Sequence, residues 1–331
     1  MLRLPPFDVV SPETVEGVVM ALARPGARLV AGGTDILPNL KHRLDRPPVL
    51  VDLTRVRGLD RVVVDRAAGL LRIGAGVKLA NLSQSAEVAT RFPSLARAAG
   101  IVASPLLRNM GTVGGNIHLD TRCRYVNQTE FWRGAIGGCL KSGGTVCHVV
   151  PGGKSCVAAM SSDCVPVLTT LEARVALLGP AGEREVPIAD YYDTDGISHI
   201  KKGAQELCTE VRVPLPRGPW RTGYRKWTVR GSIDFPLISI ALRFDLETDS
   251  TRARIRRALV CVGVLAARPK LLRADALVGR PLADPEVRRL LGEMVEKQGK
   301  PLDNVPYEAA YRRKVLPVHA RRALEEIVAA G

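Results

Sequence analysis

Five cysteines of this 331-residue chain fall within one segment of 42 residues, from position 123 to position 164. Their spacing is C-x15-C-x7-C-x8-C-x7-C, without the closely spaced cysteine pairs that are typical of structural zinc sites. Thiolates from widely spaced loop positions suit an iron–sulfur cluster, in which each iron takes one cysteine sulfur. The spacing alone leaves three readings open, namely an iron–sulfur cluster, a zinc site and no metal.

The remaining cysteines, Cys208 and Cys261, lie in apolar, strand-like surroundings, so we expect them to be small buried core residues. The N-terminus has no apolar stretch suited to a secretory signal. We therefore expect a cytoplasmic protein whose thiols are reduced, which disfavours disulfides and favours a metal for the clustered cysteines.

Two glycine-rich turns, Ala31-Gly-Gly-Thr-Asp35 and Thr112-Val-Gly-Gly-Asn116, are candidates for binding phosphate. Small residues let backbone N–H groups approach a phosphate closely, and each turn also offers a threonine hydroxyl. Neither turn matches the dinucleotide fingerprint G-x-G-x-x-G, and Gly153-Lys-Ser155 lacks the first glycine of a P-loop. Each turn alone is also consistent with an ordinary tight turn, whereas two of them would clamp one pyrophosphate from two sides.

The composition argues against two classes of protein. The 48 Lys and Arg against 33 Asp and Glu leave a net charge of +15, but the basic residues are scattered and aromatics make up only 4%. Nucleic-acid binding is therefore disfavoured, and a basic surface that docks an acidic partner subunit, or one that is simply solvated, is favoured instead. The apolar runs are far shorter than the ~20 residues that span a bilayer, so we expect no membrane association.

The hydrophobic pattern predicts the elements that must position these residues. An α/β unit carries the first glycine turn, and a hairpin with further helices precedes the second turn. Residues 121–163 have no sustained period and are predicted to be a long functional loop. A run of strands and then helices, the last of them at 307–329 and interrupted at Pro317, predicts a separate α+β domain after residue 188.

Four stretches together resemble the FAD-binding subunits of molybdenum hydroxylases, and the resemblance covers essentially the whole chain. These stretches are Ala31-Gly-Gly-Thr-Asp-Ile-Leu-Pro38, Thr112-Val-Gly-Gly-Asn116, Lys226 with Asp234-Phe-Pro-Leu237, and Tyr311-Arg-Arg-Lys-Val315. Most members of that family lack the cysteine stretch. Asp120-Thr-Arg-Cys123, Tyr125-Val-Asn-Gln128, Cys139-Leu-Lys141 and Cys147-His-Val149 resemble the β subunits of 4-hydroxybenzoyl-CoA reductases, whose inserted loop carries a 4Fe-4S cluster.

The resemblance implies the site residues. It favours iron–sulfur over zinc and leaves Cys164 without a role as a ligand. The implied cluster ligands are Cys123, Cys139, Cys147 and Cys156. The implied FAD-binding residues are Leu29, Val30, Ala31, Gly32, Gly33, Thr34, Asp35, Ile36, Thr112, Gly114, Gly115, Asn116, Asp120, Asp163 and Lys226. Among them, Lys226 would place a positive charge near the isoalloxazine ring.

The implied fold is α+β, with a two-lobed FAD-binding region of the PCMH type over residues 1–188. An iron–sulfur loop at 121–163 is inserted in it, and a C-terminal domain of antiparallel sheet plus helices covers residues 189–331. The implied function is electron transfer between a ferredoxin-like carrier, the 4Fe-4S cluster, FAD and partner 2Fe-2S clusters. No catalytic residue is expected, because substrate would be transformed at the molybdenum cofactor of a large partner subunit. A small partner subunit would complete a heterotrimer or a dimer of heterotrimers.

Three alternatives remain open on the sequence alone. The chain would serve equally as the flavin subunit of a related hydroxylase with another aromatic or heterocyclic substrate. A free-standing flavin oxidase is the second alternative, and a zinc-stabilised binding module is the third.

Overall fold

A three-stranded parallel sheet forms the amino-terminal lobe of the computed structural model, which describes residues 2–330. Its strand order is β1-β3-β2, and helix α1 is capped by the Thr14 side chain, which accepts from the Gly17 amide. Val18 and Leu22 on α1 pack against Val51 in the lobe's core. The elements of this lobe are β1 (Asp8–Val10), α1 (Val15–Leu22), β2 (Arg28–Val30), α2 (Ile36–Lys41) and β3 (Val49–Asp52).

A five-stranded antiparallel sheet with a layer of short helices forms the second lobe. The predicted hairpin is confirmed, since β4 and β5 pair with Val62 opposite Ile73. The strand order is β4-β5-β8-β6-β7. The strands are β4 (Val62–Asp65), β5 (Leu70–Gly74), β6 (Arg174–Gly179), β7 (Gly182–Pro187) and β8 (Leu207–Pro214). The helices are α3 (Leu79–Gln84), α4 (Ala86–Arg91), α5 (Pro93–Gly100), α6 (Pro105–Met110), α7 (Val113–Ile117), α8 (Glu130–Ala135) and α9 (Cys164–Thr170).

The cysteine-rich segment 121–163 is mostly irregular, as its lack of periodicity predicts, and α8 is its one helix. The two ends of the segment are held together by an antiparallel bridge. The Arg122 amide donates to the Ala159 carbonyl at 2.7 Å, and the Ala159 amide returns a bond to Arg122 at 2.6 Å. The segment is therefore a closed loop whose base is fixed by backbone hydrogen bonds.

The carboxyl-terminal part of the chain has an antiparallel sheet covered by two long helices. The strand order is β12-β11-β10-β9, and the apolar face of the sheet packs against both helices. The elements are β9 (Trp220–Trp227), β10 (Ile238–Leu246), β11 (Ile255–Gly263), β12 (Lys270–Leu272), α10 (Pro285–Gln298) and α11 (Ala309–Ala329).

The predicted interruption at Pro317 is wrong, because α11 runs without a break from Ala309 to Ala329. Proline removes one N–H from a helix, yet the neighbouring turns are held by packing. Leu316 and Ala320 are fully buried in the carboxyl-terminal core, and Pro317 between them is buried as well. Tertiary burial here outweighs the local cost of proline.

The division at residue 188 stays a prediction, and its outer limits at residues 1 and 331 lie outside the described residues. Strand β8 follows residue 188 but pairs with β5 and β6, so the second lobe's sheet draws on both sides of that position. No helix within residues 2–330 has the length and apolar character needed to cross a membrane.

Candidate cofactor sites

The first glycine turn connects the end of β2 to the start of α2. Gly33 has a φ of +69°, a conformation that glycine adopts without strain. A Cβ on Gly32 would lie 2.0 Å from the Met110 carbonyl oxygen, so this turn packs directly against the chain that leads into the second turn. The two turns, about 80 residues apart in sequence, therefore meet in space.

The backbone amides distinguish the two turns. The amides of Gly32, Gly33 and Thr34 donate to no backbone carbonyl within residues 2–330. Such N–H groups are available to an anion, since an unpaired amide otherwise needs water or a ligand. The first turn thus presents the free donors that a pyrophosphate requires.

The second turn uses its amides within the protein. Val113 and Gly114 donate to the carbonyls of Val77 and Ala75 at 2.9 and 2.8 Å, and Gly115 donates to the Thr112 hydroxyl at 3.0 Å. A Cβ on Gly114 would lie 2.8 Å from the Ala75 carbonyl oxygen, so close packing explains this glycine without a ligand. Gly115 is different because it is exposed and a Cβ there would meet only Thr112.

Asn116, the last residue of the second motif, is also engaged inside the protein. Its side-chain oxygen accepts from the Ser162 hydroxyl at 2.6 Å and from the Cys164 amide at 3.3 Å. The side chain is buried, with 4% of the residue exposed. Asn116 therefore joins the second turn to the start of α9.

A group of charged residues lies beside the first turn. The Asp120 amide donates to the Asp35 carboxylate at 3.2 Å, and Arg122 forms an ion pair with the same carboxylate. The Arg122 guanidinium carbon lies 4.3 Å from the centre of the Phe235 ring, which belongs to the carboxyl-terminal part. The structure thus brings Asp120 next to the residues that sequence reasoning assigned to FAD.

Asp163 and Lys226, also assigned to FAD, come together in a buried cluster. The Lys226 ammonium lies 3.2 Å from the Asp163 carboxylate, which also accepts a 2.7 Å bond from the Tyr224 hydroxyl. Burial raises the pKa of Asp163, although Lys226 and Tyr224 favour its charged form. The positive charge expected of Lys226 is therefore largely balanced by its own carboxylate partner.

The four cysteines implied as cluster ligands line one small cavity. Its walls are otherwise mostly apolar, as with Tyr125, Val149 and Ala158. Cys123, Cys139 and Cys156 are buried, whereas Cys147 is partly exposed. The cavity wall is completed by His148, Lys141 and neighbouring residues.

The other three cysteines lie elsewhere. Cys164 is fully buried as the first residue of α9, in the main core that also holds Cys208 and Cys261. The prediction that Cys208 and Cys261 are buried core residues is confirmed. Burial raises the pKa of the Cys123 thiol to about 11 and also raises the pKa of Cys156, which the charge of Lys141 opposes.

A single metal ion has no obvious place in the described part of the chain, since no group of three or more His, Cys, Asp or Glu side chains is arranged to hold one. Four sulfurs around one zinc ion stand about 3.8 Å apart, because each Zn–S bond is about 2.3 Å. In a cubane cluster each sulfur binds a different iron, so the sulfurs are more widely separated. The described residues show neither arrangement, so the choice between a zinc ion and an iron–sulfur cluster stays a prediction.

Two structural residues of this region escaped the sequence reasoning as site residues. Lys141 lines the cysteine cavity and also a larger groove, where it lies with Arg43 and Arg133. Asn304 bonds to the Val157 carbonyl at 2.7 Å from a distant part of the chain. Lys141 stands two residues after Cys139, a signal available in the sequence, whereas nothing local marks Asn304.

A two-lobed α/β region, whose first glycine turn has free amides, is followed by a domain of antiparallel sheet and helices. Residues 5–216 match the family described as the FAD binding domain in molybdopterin dehydrogenase, and residues 224–327 match the CO dehydrogenase flavoprotein C-terminal domain. The chain belongs to the FAD-binding subunits of the molybdenum hydroxylase family. It is therefore a subunit of an oxidoreductase, and FAD binding and the predicted fold class are confirmed.

The relatives of known function act in several different enzymes. The FAD-binding subunit of an aldehyde oxidoreductase from Escherichia coli is 35% identical over 235 residues, covering 68% of this chain and 73% of that protein. The carbon monoxide dehydrogenase medium chain of Afipia carboxidovorans is 28% identical over 96% of each chain. A solved carbon monoxide dehydrogenase from Hydrogenophaga pseudoflava shares the fold, with a TM-score of 0.79 at 23% identity over 99% of both chains.

Proposed function

We propose that this subunit holds a 4Fe-4S cluster in addition to FAD and passes electrons between an external carrier, the cluster, FAD and 2Fe-2S centres of a partner. The observation that carries the proposal is the cavity shared by Cys123, Cys139, Cys147 and Cys156. Side chains up to 33 residues apart in sequence meet there, and together they offer four sulfur ligands.

The chain's own residues would hold the two groups in different ways. The free amides of Gly32, Gly33 and Thr34 would donate to the FAD pyrophosphate, with Thr112 and Gly115 on the opposite side. When bound, FAD supplies the exchange between two-electron and one-electron transfer. Leu29, Val30, Ala31, Asp35, Ile36, Gly114 and Asn116 would shape that site from the flanking elements.

The buried group of Asp163, Tyr224 and Lys226 supports a place for the flavin near β9. Because this ion pair is buried, little water reaches it, and its charges interact more strongly than they would in solvent. Asp120 would lie on the side of FAD that faces the cysteine loop, because it bonds to Asp35 and to Lys141. The chain would thus hold the cofactors in position and set the charges around them, and we assign no catalytic residue to it.

The names of the relatives and the net charge of the chain indicate which partners it has. Several relatives are named as medium chains or as subunits of dehydrogenase complexes. We propose a heterotrimer, or a dimer of heterotrimers, with a molybdenum-cofactor subunit and a 2Fe-2S subunit. The net charge of +15 favours docking of an acidic, ferredoxin-like carrier. Cys147, the least buried of the four cysteines, marks the side of the cavity nearest to solvent.

For the substrate, the residues around the cysteines favour 4-hydroxybenzoyl-CoA reductase, in which an aromatic acyl-CoA is reductively dehydroxylated. Aldehyde oxidation is a second candidate, because the aldehyde oxidoreductase subunit of Escherichia coli shares 35% identity with this chain. Purification of the complex from its host, followed by assays with both substrates, separates the two. Reduction of 4-hydroxybenzoyl-CoA by reduced carrier supports the first assignment, and aldehyde oxidation without that activity replaces it.

The cluster assignment is tested by cysteine substitutions. Cys→Ser at position 123, 139, 147 or 156 should lose most of the iron and the broad visible absorption of the cluster. Cys164→Ser is the matched control, since it changes a buried cysteine outside the cavity and should keep the iron at a small cost in stability. FAD content and circular dichroism check folding in each variant. A cluster that survives one of the four changes but is lost in Cys164→Ser contradicts the ligand set.

A further inference from the structure

Lys141 occupies an unusual position for a lysine, because its ammonium group points inward. Only 11% of its side chain is exposed. The ammonium donates to the Asp120 carboxylate at 2.5 Å and to the Gly196 carbonyl at 2.8 Å, and it also contacts the Thr121 hydroxyl. A buried ammonium needs such partners, since water no longer solvates it.

The partners of Lys141 connect the two candidate cofactor sites. On one side, Asp120 bonds to Asp35 at the first glycine turn. On the other side, Lys141 forms part of the wall of the cysteine cavity, and Gly196 lies so close to Cys156 that a Cβ there would be 3.0 Å from its sulfur. The Lys141–Asp120 pair therefore lies between the FAD turn and the cysteine cavity.

We propose that Lys141 sets the reduction potential of the cluster in this cavity, with Asp120 as the opposing charge. The inference rests on the proposed function, since it requires a cluster bound by the four cysteines. Reduction adds one electron from the carrier or from reduced FAD to the cluster and forms or breaks no bond. The cluster thereby gains one negative charge. A nearby ammonium stabilises this charge, and the interaction is stronger in a buried site than it would be across bulk water.

The direction of each effect follows from the sign of the charge. Without the ammonium, the reduced cluster loses a stabilising partner, so its potential falls. Without the Asp120 carboxylate, the ammonium is no longer opposed, so the potential rises. Two substitutions in one ion pair should thus move the potential in opposite directions, which general loosening of the loop would not produce.

The test is a redox titration of the cluster, followed by electron paramagnetic resonance, in the purified complex. Lys141→Met should shift the reduction equilibrium about tenfold toward the oxidised form, equal to about 59 mV for one electron. Lys141→Arg keeps the charge and should stay near the wild-type potential. Lys154→Met is the matched control, because Lys154 is exposed and also stands two residues from a predicted ligand, Cys156.

The result that overturns the proposal is a wild-type potential in Lys141→Met with full iron and flavin, or an equal shift in Lys154→Met. If Lys141→Met does not retain iron, the cluster potential of Asp120→Asn is measured instead. The proposal predicts a higher potential in that variant, and an unchanged or lower potential overturns it. A wild-type protein that contains no iron overturns the proposed function as well, and iron analysis of the wild type separates that failure from the loss of the tuning role alone.

Discussion

The surroundings of a side chain decide its protonation state in this protein, and His118 is the clearest case among the histidines. One ring nitrogen is 2.7 Å from the Gly114 carbonyl and the other is 2.8 Å from the Tyr191 hydroxyl. Burial lowers the pKa of His118 to about 4, against an ordinary value of 6.5. The neutral ring is therefore part of the packing beneath the second glycine turn.

This depressed pKa predicts a loss of stability in mild acid. The unfolded chain takes up a proton near pH 6.5, whereas the folded chain does so only near pH 4, so stability is present above pH 6.5 and falls below it. One such group accounts for up to about 2 kcal/mol between pH 7.5 and pH 5. Urea unfolding at the two pH values should show a smaller difference for His118→Gln than for the wild type. An unchanged difference would exclude His118 as a source.

At the scale of elements, the two glycine turns differ in their backbone hydrogen bonds, although their sequences are similar. The first turn leaves its amides free, whereas the second is bonded to the chain after β5. Gly32 and Gly114 are both required by backbone contacts within the protein. Substitutions at those positions would report on packing, and Gly115 is the position that reports on a ligand.

We predict that Gly115→Leu weakens FAD binding while the fold is retained. The side chain would project from an exposed position into the space proposed for the cofactor, and tenfold weaker binding corresponds to about 1.4 kcal/mol. Flavin content after purification and titration of the apoprotein with FAD measure the effect. Gly218→Leu is a suitable control, because it is exposed and a Cβ there meets only the end of Arg256. Equal FAD affinity in both variants would remove Gly115 from the site.

At the scale of the whole molecule, Asn304 connects the carboxyl-terminal region to the cysteine-rich segment. This residue lies between α10 and α11 and is fully buried. Its side-chain amide donates to Val157 and Leu265 at 2.7 and 3.2 Å, and its backbone carbonyl accepts from the Arg124 amide at 2.7 Å. Arg124 and Val157 directly follow Cys123 and Cys156 in the sequence. The carboxyl-terminal domain therefore holds both ends of the cysteine loop.

Asn304→Ala should destabilise the protein by about 1–3 kcal/mol, because it leaves buried carbonyl groups without a donor. Hydrogen exchange should increase around residues 121–128 and 155–159, with little change in the amino-terminal lobe. Asn81→Ala, at an exposed position on α3, should leave stability nearly unchanged. If exchange in the cysteine loop does not increase, the side chain of Asn304 is not what holds the loop in place.

Much of the fold was predictable because it rests on local patterns. The strands at 207–214 and 255–263 and the helix at 285–298 follow their hydrophobic periodicity closely. Pro317 is the exception, since burial of α11 decides there against a local rule. The site residues were predicted from the motif resemblance. The structure shows their hydrogen bonds and ion pairs, and their roles in binding stay predictions.

The sequence by itself indicated the family of the protein, because the motifs at 31–38, 112–116, 234–237 and 311–315 are local features that can be recognised without a fold. It also determined which cysteines belong to the core, since apolar neighbours on a strand predict burial. Only the tertiary structure decided which amides stay free, that Lys226 is balanced by Asp163, and that Lys141 lies between the two sites. The physical reason is that hydrogen-bond partners and counter-charges come from residues far apart in the chain, and no local pattern records which of them will meet.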